Sequence, residues 1–142
     1  MVVPFTDREM RRAWRENYDV SSNTAGQTRN AHRLLLFYAV ECGLKALLMK
    51  QKNVSCTDLI PEILSHDLNK LLDYLRAGEG LYLRQQYKIC DLKKQNQSSQ
   101  RNIGASEINQ MWRYGGQATE THSDKDIEES LRKIADWIKK QI

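Results

Sequence analysis

Apolar residues recur at three- and four-residue intervals near the start of the chain, a spacing that favours an amphipathic helix. In the segment DREMRRAWRENY the apolar residues on one side are Met10, Ala13, Trp14 and Tyr18. Thr6 followed by Glu9 matches a capping box in front of this segment. The pattern therefore predicts a first helix that begins directly after Thr6.

The second predicted helix is long and carries no polar face. It extends from about Thr28 to Lys50 and contains the run LLLFYAVECGLKALLMK, which is apolar on nearly all sides. A helix of this kind must pack against neighbours in several directions. We therefore expect it to be the central helix of a bundle.

The rest of the chain is also predicted to be helical. A third helix starts at the N-cap candidate Ser65 and ends near Gly78, and a further one covers Leu81 to Lys93. Lys93 to Gly104 lacks apolar periodicity and is predicted to be a polar loop. The segment SEINQMWRYGG predicts a short helix that ends at its two glycines.

The last helix is predicted from a capping-box match between Ser123 and Asp126. After this cap, apolar residues follow at four- and three-residue steps: Ile127, Leu131, Ile134 and Ile138. Strand-like alternation is not evident anywhere. The sequence therefore predicts an all-α fold in a single domain that covers residues 1–142.

Composition restricts the class of protein without naming a function. Hydrophobic residues make up 40% of the chain and charged residues 28%, as in soluble globular proteins. The start of the chain does not resemble a signal peptide, and the longest apolar run is too short to span a bilayer, so a cytoplasmic protein without membrane contact is expected. Cys42, Cys56 and Cys90 are widely spaced and form no metal-ligand pattern, so we predict free thiols, no metal and no cofactor.

The net charge of +4 permits contact with nucleic acid but does not require it. Four arginines crowd the first predicted helix: Arg8, Arg11, Arg12 and Arg15. They form either a solvated basic face or a phosphate-contacting face, with Trp14 as an adjacent stacking candidate. Arg29 and His32 are further candidate phosphate contacts near the start of the second helix.

Glu41 and Lys45 lie four residues apart in the central helix, a spacing that predicts an ion pair. Two charges in so apolar a helix cost more than two leucines, because buried ion pairs are often replaced by hydrophobes without loss of stability. The pair therefore either fixes the packing register or faces a cleft shared with other polar groups.

Three segments together resemble the HEPN domains, helical bundles found in higher eukaryotes and prokaryotes. AVECGLKALL is similar to the A-x-E-x-x-L-K-A-L-L signature of that family, SHDLNKLLDYL to the following S/H-H-x-L-x-x-L segment, and WRYGG to a later R-Y-P stretch, with glycine in place of proline. The resemblance covers about Thr28 to Ile142. It implies an antiparallel bundle of four to five helices that is commonly dimeric.

The resemblance also implies a polar cleft lined by Glu41, Lys45, His66, Arg113 and Tyr114. In such a cleft Arg113 suits a phosphate, Lys45 assists it, and Tyr114 offers a stacking surface. The alternative is that Glu41, Lys45 and Arg113 form a buried network that pins the bundle.

Catalytic members of the family cut RNA without metal, using an arginine and a histidine about four to six residues apart. The candidate catalytic pair here is Arg113 and His122, with eight residues between them, and His32 could substitute for His122. Arg29 and His32 lie too close together in sequence to match the family's pair.

Three functions therefore remain open. The first is a non-catalytic module that binds a nucleotide, RNA or a protein, as an accessory subunit of a prokaryotic defence or toxin–antitoxin system. The second is a metal-independent endoribonuclease, and the third is a dimerisation scaffold. A homodimer or a subunit of a larger defence complex is expected.

Overall fold

The computed structural model describes residues 3–119 and 123–142. In these residues the α-helices are α1 (Asp7–Ser22), α2 (Asn30–Lys52), α3 (Leu68–Tyr74), α4 (Ile108–Arg113) and α5 (Asp124–Gln141). The strands are β1 (Gln86–Lys94) and β2 (Gln97–Gly104). Short 3-10 turns at Thr57–Leu59, Pro61–Leu64, Glu79–Leu81 and Ala105–Glu107 join these elements. The protein is thus mostly helical, with one small sheet.

Both predicted capping boxes are confirmed. At α1 the Glu9 backbone N–H donates to Thr6 Oγ1 at 3.2 Å, and the Thr6 backbone N–H donates to Glu9 Oε1 at 3.0 Å. At α5 the Ser123 and Asp126 side chains form the same reciprocal pair. Each box satisfies backbone donors that a helix start leaves without an intrahelical partner, so these two helices begin where the sequence predicts.

The prediction that the second helix is central is also confirmed. Twelve of the 23 residues of α2 are buried. α1, α3, α4 and α5 all pack against α2, which accounts for its lack of a polar face. In the described part of the chain no helix has the length and apolar character needed to cross a membrane.

The third helix is shorter than predicted at both ends. Its N-cap is Asp67 and not Ser65, because Asp67 Oδ1 accepts the Asn69 backbone N–H at 3.0 Å, whereas Ser65 Oγ accepts the Asp67 N–H. The helix ends at Tyr74, and Arg76 takes the left-handed conformation with φ +53°. Gly78, the predicted C-cap, also has a positive φ but lies beyond the helix, before the next 3-10 turn.

The all-α prediction is wrong in one region. The predicted helix Leu81 to Lys93 and the predicted loop Lys93 to Gly104 form an antiparallel hairpin of β1 and β2. Its two turn residues, Gln95 and Asn96, have φ values of +51° and +66°. Positive φ at both central positions is typical of a tight hairpin turn, which here forms without glycine.

The hairpin has a regular base and an irregular outer half. Near the base, Tyr87 pairs with Ile103 and Ile89 with Arg101, and Tyr87 and Ile89 are buried. One extra residue on β1 between Ile89 and Leu92 makes a bulge, after which every residue up to Gln100 is exposed. The other edge of β1 is covered by residues 117–119, because Cys90 N–H donates to the Gln117 carbonyl and Thr119 N–H to that of Lys88.

One glycine of α2 sets how closely two other helices approach it. A Cβ atom at Gly43 would lie 3.0 Å from side-chain atoms of Trp14 on α1 and of Ile138 on α5. Both side chains are buried and have little room to move. Gly43 therefore permits the close packing of α1 and α5 on the central helix.

We predict that Gly43→Ala destabilises the protein. Overpacking costs about 1–3 kcal/mol, which exceeds the gain of up to about 1 kcal/mol that alanine brings to a helix interior. Urea unfolding measures the difference. Gly80→Ala is the matched control, since no atom lies within 4 Å of a Cβ there, and its effect should stay within about 0.5 kcal/mol. Equal stability of the two variants would show that the α1–α2–α5 contact is looser than described.

Candidate functional site

The predicted ion pair of α2 is confirmed and is part of a three-residue group. Lys45 Nζ lies 3.0 Å from Glu41 Oε2, and His66 Nδ1 lies 3.1 Å from Glu41 Oε1. Glu41 and Lys45 are 7% and 8% exposed, respectively, whereas the side chain of His66 is 64% exposed. Glu41 therefore joins a buried cation to a histidine at the surface.

A pocket of about 260 Å³ lies beside this group, between α1 and α2. Its walls include Phe5, Met10, Ala13 and Cys42 as well as Glu41 and Lys45. Burial and then the charge of Glu41 raise the pKa of the Cys42 thiol to about 11, so the thiol stays protonated at neutral pH. The pocket is thus largely apolar and has no reactive thiolate.

Glu41 and Lys45 form an ion pair in which each charge has its partner. Lys45 is the nearest cation to the Glu41 carboxylate, and the carboxylate uses its two oxygens on two different partners. A phosphate would have to displace Glu41 to reach Lys45 and would meet a second carboxylate, Glu9, in the same pocket. These features favour a structural role for Glu41 and Lys45.

A second cluster surrounds Arg113 at the end of α4. Its guanidinium carbon lies 5.9 Å from the ring centroid of Tyr38 and 5.9 Å from that of Tyr114. Arg113 Nη2 also donates a hydrogen bond to the Tyr38 hydroxyl. Hydrogen bonds to Tyr38 and then Tyr114 raise the pKa of Arg113 above its usual value, so the side chain is charged at any physiological pH.

This second cluster faces solvent. Tyr114 is 76% exposed, and Arg113 is exposed as well. In the described part of the chain no salt bridge joins Arg113 to a carboxylate. An exposed guanidinium that aromatic rings hold in place and no acid neutralises can bind a phosphate, while the Tyr114 ring can stack on a base.

The local fold explains why Arg113 points outward. Its neighbour Trp112 is buried and donates its indole N–H to Asp124 Oδ1 at 2.9 Å, which ties α4 to the start of α5. The same oxygen accepts the backbone N–H of Ala118 at 3.1 Å. With Trp112 fixed inward, the next two residues of the chain face solvent.

The structure divides the predicted five-residue cleft into two neighbouring groups. Glu41, Lys45 and His66 form one, and Arg113 and Tyr114 form the other, which also contacts Tyr38 on α2. Tyr38 is not among the residues that the sequence predicts for this site. Its position three residues before Glu41 and seven before Lys45 places it on the same side of the helix, and this spacing is the signal that could have found it.

The predicted phosphate contacts have different surroundings. Arg8, Arg11, Arg12 and Arg15 are all exposed on α1, and Arg11 forms an ion pair with Asp7 at 2.8 Å. Trp14 is buried, with 4% of its surface exposed, so the prediction that it stacks on a base is wrong. It packs in the core because its side of α1 faces Gly43 and α5.

Of the two histidines that are candidates for phosphate contact or catalysis, the structure describes His32 and not His122. The Arg29 backbone N–H donates to His32 Nδ1 at 3.0 Å, so this ring nitrogen caps the start of α2. Arg29 itself is exposed. His122, the predicted catalytic partner of Arg113, lies outside the described residues. Within residues 3–119 and 123–142, no cluster of three or more His, Cys, Asp or Glu residues is placed to hold a metal ion.

Comparison of the chain with protein-family models, curated proteins and solved structures finds no match.

We predict that Glu41 and Lys45 depend on each other for stability. Glu41→Leu leaves a buried ammonium without its acceptor and should lower the free energy of unfolding by about 3 kcal/mol. The double variant Glu41→Leu/Lys45→Leu removes both charges and should recover most of this loss, as urea unfolding would show.

The exposed pair Asp7–Arg11 has the same four-residue spacing and provides the control. Arg11→Gln should cost no more than about 0.5 kcal/mol. A double variant at positions 41 and 45 that stays as unstable as the Glu41→Leu single variant would contradict the proposed structural role.

Proposed function

We propose that the chain is a HEPN-like helical bundle that binds single-stranded RNA or a nucleotide without cutting it. On the strength of the resemblance, we further propose that it is a dimeric accessory subunit of a prokaryotic defence or toxin–antitoxin system. The observation that carries the binding proposal is the cluster of Arg113 with Tyr38 and Tyr114.

Three features support nucleotide binding at this cluster. Arg113 presents hydrogen-bond donors with the geometry of a phosphate, and two tyrosines restrict its movement. Tyr114 presents an open aromatic face beside it. The net charge of +4 favours association with a polyanion over a long range. A nucleotide supplies the phosphate and the aromatic base that such a cluster needs.

The buried group at Glu41 contributes indirectly to this function. It lies on the side of α2 that carries Tyr38, and Tyr38 orients Arg113. In this proposal Glu41 and Lys45 fix the packing of the bundle, while Arg113 and Tyr114 contact the ligand.

We predict that Arg113→Gln weakens the binding of short single-stranded RNA about 10-fold, because a hydrogen bond to a charged group contributes about 1.5–3 kcal/mol. Fluorescence anisotropy with a labelled oligonucleotide measures the dissociation constant. Lys140→Gln on α5 is the control with the same loss of charge, and its affinity should stay within about twofold of wild type. If wild type binds neither RNA nor nucleotide, or if the two variants are weakened equally, the proposal is wrong.

A cleavage assay on the same RNA, with wild type, Arg113→Ala and His122→Ala, tests the ribonuclease alternative. RNA incubated with wild type in the presence of a chelator should remain intact if the chain only binds. Cleavage that survives the chelator and disappears in both Arg113→Ala and His122→Ala would instead assign a metal-independent ribonuclease.

A further inference from the structure

The outer half of the hairpin projects from the bundle as an exposed ribbon. All residues from Cys90 to Gln100 are exposed. An isolated two-stranded hairpin is marginally stable in water, but here Tyr87 and Ile89 anchor its base in the core. Backbone hydrogen bonds from Cys90 and to Lys88 attach β1 to residues 117–119 as well. The base of the ribbon is therefore held in place by the core and by residues 117–119.

This ribbon is basic and polar. Its cationic residues are Lys93 and Lys94, with Lys88 and Arg101 half-buried at its base, and its acidic residue is Asp91. Most of its other outer residues are Gln, Asn or Ser. Since these residues do not contribute to the core, stability of the bundle does not account for them. A cationic surface with many amide groups is complementary to a polyanion whose bases offer donors and acceptors.

A groove of about 500 Å³ separates the base of the hairpin from α4. Its lining includes Gln100, Arg101 and Asn102 from β2, and Gln110 and Tyr114 from the α4 side. Arg101 Nε donates to the Cys90 carbonyl at 2.9 Å, which fixes the plane of the guanidinium. The groove lies within the size range of small-molecule pockets, about 300–1,000 Å³, and one nucleotide could occupy it.

We infer that this groove holds one unpaired nucleotide of a single-stranded nucleic acid, with the base on Tyr114 and a neighbouring phosphate at Arg101. The rest of the strand would follow the hairpin, where Lys94 lies on the same face as Arg101 and Lys93 on the opposite face. The inference rests on the proposed function and extends it from the Arg113 cluster to the hairpin. Tyr114 belongs to both, because its ring forms part of the groove and lies beside Arg113. The hairpin and the end of α4 would then form one continuous binding surface.

A single strand fits this surface better than a duplex. Stacking on Tyr114 needs a base whose face is free, and bases in a duplex are already stacked on each other. Gln110 lines the groove beside Tyr114, and its amide can pair with the edge of an unpaired base. An acidic peptide would satisfy the cations but would supply no base to stack on Tyr114.

The test measures affinity and its salt dependence by fluorescence anisotropy with a labelled 12-nucleotide RNA, DNA of the same sequence, and the RNA duplex. The variants are Lys93→Gln/Lys94→Gln, Arg101→Gln and Tyr114→Ala. The control is Lys133→Gln/Lys140→Gln, which removes two exposed lysines from α5. Circular dichroism verifies that each variant is folded.

We expect wild type to bind either single strand more tightly than the duplex. Tyr114→Ala should weaken binding about 10-fold. In a plot of log affinity against log salt, the slope should become shallower by about 0.7 for each phosphate contact that a hairpin variant loses. The α5 control should keep the slope of wild type.

If the Lys93/Lys94 and Arg101 variants keep the affinity and the salt slope of wild type, the inference is wrong. Loss of binding in Arg113→Gln would in that case still support the proposed function. Tighter binding of the duplex would also overturn the inference. So would equal competition by a polyglutamate peptide of the same net charge, since that result indicates an acidic protein partner. If wild type binds none of the oligonucleotides and no nucleotide, both proposals fail.

Discussion

A helix that is apolar all round must be covered on every side, and this constraint organises the whole chain. α2 has twelve buried residues, and leaving them in water would cost much of the stability of a domain of this size. α1, α3, α4 and α5 all pack against it. Gly43 shows how close this packing is, because the side chains of Trp14 and Ile138 occupy the space that a Cβ atom would need. The surrounding elements therefore have little freedom in where they lie.

The same constraint separates the charges inside the bundle from those that we propose to bind a ligand. Inside the bundle, Glu41 and Lys45 neutralise each other, and His66 connects Glu41 with the surface. At the edge of the bundle, Arg113 and Tyr114 are exposed because Trp112 occupies the inward position at the end of α4. The hairpin adds one further cation, Arg101, in a groove that Tyr114 also lines. The binding chemistry that we propose thus lies at the periphery, on a framework that the central helix fixes.

The sequence predicts α1, α2 and α5 well because the signals for these helices are local. Capping boxes and regular apolar spacing locate α1 and α5, and the apolar run locates α2. The hairpin was missed because Leu83, Tyr87 and Cys90 also fit a helical spacing, and Tyr87 and Ile89 alone show the alternation of a half-buried strand. The outer half is exposed on both faces and has no glycine at its turn, so the usual hairpin signals are absent.

The candidate site was predictable in its members, Tyr38 excepted, and not in its arrangement. Glu41 and Lys45 pair as their spacing indicates, but the division of the site into a buried and an exposed group depends on tertiary packing. The contact of Arg113 with Tyr38 joins residues 75 positions apart, which no local pattern reveals. The burial of Trp14 likewise depends on what the facing helices present to it.

The measurement that tests the central claim most directly is an NMR titration of the isotope-labelled protein with a short single-stranded RNA. We predict that the residues whose amide shifts change lie in one patch, which covers the hairpin and the end of α4 and includes Arg101, Arg113 and Tyr114. Shifts confined to the arginines of α1, or no shift at saturating RNA, would contradict the account.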